Sequence, residues 1–148
     1  MKKIGILTFH RSINYGAYMQ SYALSHEIQK RFPANKIEII DFELLRKHES
    51  YRKGLKLRRF PLNIEYWFKY RAFQNDLVKL PLSSKSLITN NQNVLIDYIK
   101  REYEILIVGS DAVWAYQKMS LDNPYWLFGE KIKCKSQPLS GQSASLRC

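Results

Sequence analysis

Apolar residues open the chain in a short, nearly unbroken run, Lys3 to Phe9 (KIGILTF), the pattern of a strand covered on both faces. After the segment His10 to Gly16, the positions Ala17, Ser21, Leu24, Ile28 and Phe32 recur at helical spacing. They predict a helix that Pro33 stops. Lys36 to Phe42 (KIEIIDF) reads as a second strand. Strand, helix and strand within about forty residues form a βαβ unit, so the two strands are expected to run parallel.

The pattern then weakens. Arg46 to Phe60 has no clean period and reads as loop or irregular helix. Pro61 and Asn63 look like a helix start with Asn63 as N-cap, and Tyr66, Tyr70, Phe73 and Leu77 give that helix an aromatic stripe. Leu80-Pro81-Leu82-Ser83 breaks it. Asn90 or Asn91 can cap a further helix whose Val94, Leu95, Tyr98 and Ile99 share one face, with Lys100 and Arg101 suiting its C-terminal dipole. Tyr103 to Val108 (YEILIV) is the most hydrophobic strand and is expected at the centre of the sheet. A short helix is expected over Tyr125 to Phe128. From residue 133 the sequence KCKSQPLSGQSASLRC is Ser-rich and aperiodic, which predicts a disordered or aberrant tail.

These elements predict an α/β fold: a Rossmann-like parallel sheet flanked by helices, spanning residues 1–132 with a basic excursion over 44–60. Composition agrees, since 45% hydrophobic and 25% charged residues are globular values. No apolar run approaches the ~20 residues of a membrane span. The basic start, Met1-Lys2-Lys3, meets His10 and Arg11 too soon to be a secretory signal. Cys134 and Cys148 form neither a metal spacing nor a disulfide framework. A cytoplasmic protein is expected, at most peripheral at the inner face of the membrane.

Charge changes the picture in one place. Of the net +11, seven charges arise between Leu44 and Leu80, where ten basic residues face three acidic ones. Such a segment suits anionic lipid, nucleic acid or a phosphorylated ligand, and equally a solvated surface excursion. Interleaving of Lys and Arg with Phe60, Tyr66, Trp67 and Phe68 favours a membrane surface, with nucleic acid the less favoured partner.

Two loops carry candidate chemistry, each following a buried strand, at the carboxyl end where open α/β sheets bind ligands. In the first, Gly16 permits a tight turn, and the helix start behind it aims free N–H groups and a positive dipole end outward. His10 supplies a titratable ring, while Asn14 and Gln20 supply donors and acceptors. In the second, Asp111 suits a base or a group that orients a hydroxyl, Ser110 a hydrogen bond to ligand, and Trp114 an apolar platform for a sugar ring. Each loop alone also reads as ordinary βα-turn and capping chemistry. No phosphate-loop, zinc or nucleophile-elbow signature is present.

Taken together, His10, Asn14-Tyr15-Gly16-Ala17, Gln20 and Tyr22-Ala23-Leu24, then Ile107-Val108-Gly109-Ser110-Asp111 with Val113-Trp114, resemble the polysaccharide pyruvyl transferase family. The resemblance covers roughly Lys2 to Lys133, with the basic middle unmatched. It departs from the family pattern at Ala112 and Ala115, where family members commonly carry Gln and Asn. It implies transfer of pyruvate from phosphoenolpyruvate to a pair of sugar hydroxyls as a ketal, with no other cofactor and no metal. Asp111 and His10 would be catalytic, and Asn14, Tyr15, Gly16, Gln20, Gly109, Ser110 and Trp114 would bind substrate. The acceptor would be a sugar or lipid-linked oligosaccharide. The implied fold is the N-terminal lobe of a two-lobed, GT-B-like architecture, with the second lobe absent. On that expectation the chain is a half-enzyme that binds ligand weakly and does not turn over alone. The competing expectation is a non-catalytic module that uses its basic segment at a membrane surface or on nucleic acid.

Overall fold

A computed structural model describes residues 2–55, 62–109, 135–139 and 143–147. The first strand, β1 (Lys3–Leu7), leads through helix α1 (Tyr15–Arg31) into β2 (Lys36–Ile39). Then come β3 (Phe42–Glu43), α2 (Leu45–Leu55), α3 (Leu62–Leu77), β4 (Leu87–Ile88), α4 (Gln92–Glu102) and β5 (Ile105–Val108). Two further strands, β6 (Lys135–Leu139) and β7 (Ser143–Arg147), complete the order.

The main sheet runs β2-β1-β5-β7-β6. β1 pairs parallel with β2 (Lys3 opposite Lys36) and with β5 (Ile4 opposite Ile105, Leu7 opposite Val108). β5 is therefore central, as its unbroken apolar run predicts. β7 joins β5 antiparallel and β6 joins β7 antiparallel. The Ser-rich stretch expected to lack regular structure thus carries two strands: the open side of β5 offers a ladder of backbone groups that even a polar segment can satisfy. A second, two-stranded parallel sheet, β3 with β4, continues from the β2 edge, where Ser83 N–H donates to Ile39 at 2.8 Å and Leu87 N–H to Asp41 at 2.7 Å.

Strand alternation sorts the core into two layers. Ile4, Ile6, Ile37, Ile39 and Ile107 face Tyr18 and Ile28 of α1 and Phe73 and Leu77 of α3. Leu7, Ile40, Leu106 and Val108 face Leu95, Ile96 and Ile99 of α4, with Tyr98 and Tyr103 beside them. Helices therefore flank both faces. Gly5 is required here: a Cβ would lie 2.9 Å from the Tyr103 ring and from Ile40 Cδ1, so only glycine lets Tyr103 cross β1. Tyr103 in turn donates its hydroxyl to buried Glu38 at 3.1 Å, and Lys3 and Lys36 also pair with that carboxylate.

Local predictions shift in register. On α1 the buried positions are Tyr18, Ser21, Ser25 and Ile28; Phe32 is exposed and caps the helix through its N–H to Ile28. The small Ser21 and Ser25 let α1 sit close to the sheet, with Thr8 and Ser21 hydroxyls 3.4 Å apart. On α4, Asn91 is the N-cap, accepting from Asn93 N–H, while Ile96 replaces the exposed Val94 on the inner face. α3 begins at Leu62, so Asn63 lies inside the helix rather than at its cap. The basic segment is helical over α2. The helix expected over Tyr125 to Phe128 lies outside the described residues.

Candidate functional site

The site is built at the carboxyl edge of β1 and β2. Beyond Leu7 the chain stays buried through Thr8, Phe9 and His10 before it emerges at Arg11. It turns on Ser12, whose N–H donates to Phe9 (3.3 Å), and reaches Asn14, the N-cap of α1. The Asn14 side chain accepts from Gly16 N–H at 2.8 Å, satisfying one of the free donors of the first turn.

β2 delivers Asp41 to the same edge, 5% exposed, with its N–H on the Ser83 hydroxyl. Its carboxylate meets the β1 loop squarely. Arg11 donates from Nε to Oδ1 at 2.5 Å and from Nη2 to Oδ2 at 2.6 Å, a bidentate pair that fixes the guanidinium plane. His10 Nε2 lies 3.1 Å from Oδ1, and its Nδ1 lies 3.2 Å from the Thr8 carbonyl. Both ring nitrogens face acceptors, Asp41 Oδ1 on one side and the Thr8 carbonyl on the other. Burial alone would raise the Asp41 carboxyl. The hydrogen bonds from His10 and Arg11, with the guanidinium charge, outweigh it and hold the group well below the usual carboxylate range.

Helix α2 closes the edge from the other side. Lys47 Nζ donates to Ser12 Oγ at 2.5 Å and stands 5.4 Å from the Phe9 ring centroid. Among the described residues it forms no carboxylate ion pair. Burial pulls its ammonium below the ordinary lysine value, opposed in part by the Glu43 charge. His48 Nδ1 lies 2.8 Å from Glu43 Oε2. Burial raises the Tyr51 phenol, offset in part by hydrogen bonds to Ile13 backbone and the Ser12 side chain.

β1 and β5 are adjacent and parallel, with Leu7 opposite Val108, so the first candidate loop and Gly109, the first residue of the second, leave the sheet at this edge. Gly109 follows at once, buried, its N–H on the Leu7 carbonyl at 3.0 Å; a Cβ there would lie 2.3 Å from Leu24 Cδ2 of α1. Comparison of the chain with family models, curated proteins and solved structures finds no match. Its chemistry therefore rests on these residues.

Of the sequence-predicted site residues, His10 is wholly enclosed, Asn14 is a helix cap, and Gly16 is its partner. Tyr15 is half exposed, donates to Asp76 at 3.2 Å and packs edge-on to Phe73, tying α1 to α3. Gln20 is half-buried on α1. Ser110, Asp111 and Trp114 lie outside the described residues. Sequence reasoning missed Asp41 and Lys47. Asp41 left a trace, a charged residue closing the apolar run KIEIIDF at a strand's carboxyl end. Lys47 left none, because it sits in a crowd of basic residues and only the fold selects it.

Proposed function

We propose that this sheet edge binds a donor bearing carboxylate and phosphate together with a sugar acceptor, as the N-terminal lobe of a GT-B-like polysaccharide pyruvyl transferase would. The reaction joins two sugar hydroxyl oxygens to C2 of phosphoenolpyruvate as a pyruvate ketal, one hydroxyl proton converting the methylene to a methyl and the other leaving with the displaced phosphate. The observation that carries this reading is Lys47: a half-buried ammonium that rests on a hydroxyl and a ring, with no carboxylate ion pair among the described residues and only the Glu43 charge opposing its burial, stands directly over the loop that opens α1. An anion placed there balances it, helped by the helix dipole and by Arg11 at the rim. The site needs no cofactor besides the donor. His10, enclosed and in contact with Asp41, acts through that carboxylate to hold Arg11 and is assigned a positioning role. Asp111 keeps its expected role toward the sugar hydroxyls.

The test is calorimetric titration of the purified chain with phosphoenolpyruvate, with inorganic phosphate and pyruvate as comparators. Phosphoenolpyruvate should bind best, and Lys47→Met should weaken it about tenfold or more, as expected for loss of one charge-assisted contact. Lys47→Arg should retain most of the affinity at neutral pH. Because the Lys47 pKa is lowered, wild-type affinity should fall with rising pH while the arginine variant stays flat. Equal binding by wild type and Lys47→Met would defeat the reading.

A further inference from the structure

Helix α3 is apolar on two opposite faces. Phe73 and Leu77 are buried against the sheet with Tyr66 and Tyr70 half-buried beside them. On the opposite side Ile64, Trp67, Phe68, Arg71, Ala72 and Asn75 recur at helical spacing, and all are exposed. Ile64 and Trp67 are each 43% exposed and Phe68 60%. Trp67 and Phe68 pack edge to face at 5.2 Å, and the Arg71 guanidinium lies 5.2 Å from the Trp67 ring centroid. An aromatic pair held open to solvent with a cation on its rim is a surface shaped for contact.

The structure assigns this face to an anionic lipid surface: we propose that α3 docks through Ile64, Trp67 and Phe68 into the interfacial layer, with Arg71 and the basic end of α2 on the headgroups. Area argues against a second copy of the chain. The three side chains offer on the order of 300 Å² at ~200 Å² per large residue, against ~800 Å² per partner in a stable protein interface. A shallow interfacial insertion needs only a few such anchors. Charge points the same way. The acids of α3 are already engaged, Glu65 with Lys69 and Asp76 with Lys79. Arg46, Arg52 and Lys53 are exposed on α2, and the sequence between the helices adds Lys56, Arg58 and Arg59. Two such surfaces would repel each other and attract phosphate headgroups. Trp and Phe suit the boundary between headgroup and acyl chain. This inference uses no residue of the sheet edge and stands apart from the function proposed above.

The experiment is co-sedimentation of the full chain with phosphatidylcholine vesicles, and with vesicles that also contain phosphatidylglycerol, at low and high salt. The chain should sediment with the anionic vesicles at low salt and be released as salt rises. Trp67→Ser/Phe68→Ser should reduce binding at least about tenfold, given the apolar area lost, with the thermal unfolding curve little changed because both side chains point outward. Arg52→Gln/Lys53→Gln/Arg71→Gln, which keeps the aromatics, should reduce it as well and decides the matter if the first variant fails to fold. Equal binding to neutral and anionic vesicles overturns the proposal, as does retained binding by a folded variant. A dimer that dissociates on Trp67→Ser/Phe68→Ser, without vesicle binding, overturns it in favour of self-association.

Discussion

Asp41 is the residue on which the sheet edge turns, since it receives both Arg11 and His10 in a nearly dry setting. Removing its charge leaves Arg11 and His10 without their partner, and losses of about 3 kcal/mol are usual when one member of a buried pair is removed. Asp41→Asn should show a loss of that order in urea unfolding at neutral pH. The pH dependence has a definite sign. The folded carboxyl lies below its ordinary 3.8, so its contribution is fully present above that value and is lost as pH falls below it. The acid limb of the stability curve should therefore be steep in the wild type and shallower in Asp41→Asn. Gly5 offers a second check. A methyl there must displace Tyr103, which is held by Glu38, so Gly5→Ala should cost about 1–3 kcal/mol in the same unfolding assay despite the usual gain on replacing a strand glycine. Neither role is legible in the chain as written. Asp41 and Gly5 acquire meaning from residues thirty or more positions away, and hydrophobic periodicity reports only what a residue does within its own element.

Elements fared differently. Strands β1, β2 and β5 and helices α1 and α4 were legible because each buries a face whose period shows in the sequence. Helix α2 was legible only as one of two alternatives, loop or irregular helix, since it is short and basic and buries little. Strands β3, β6 and β7 are likewise too short or too polar to announce themselves, and they form because a neighbouring backbone edge is available. The phase of α1 was legible only in part: Tyr18 took an inner position while Phe32 became a cap. Asn14 belongs to this scale, being both a cap and a proposed ligand contact, and two substitutions separate the roles. Asn14→Ala should cost roughly 1 kcal/mol of stability, a typical cap loss. Asn14→Ser keeps the cap and should leave stability nearly unchanged while lowering phosphoenolpyruvate affinity. If the serine variant binds as well as the wild type, Asn14 is a cap and nothing more.

For the whole molecule, the two proposals fall on two surfaces. One is the carboxyl edge of the parallel strands, where β1, β2 and α2 gather Arg11, Asp41 and Lys47; the other is the outward face of α3. No helix among the described residues is long and apolar enough to cross a membrane. Residues 45–61 of the sequence hold seven basic residues against one acid and so carry six of the eleven excess positive charges, while the cations and acids of α3 cancel. Of the candidate site, its position at a strand edge was legible from the βαβ pattern, and its cation was not. The most direct measurement is a two-dimensional amide spectrum of the labelled chain during titration with phosphoenolpyruvate. Shifts should concentrate at Ser12 to Gly16, at Lys47 and at Gly109 to Asp111, with β4 and α4 silent. Shifts scattered over the basic surface, or none at the β1 and β5 loop ends, would contradict the account.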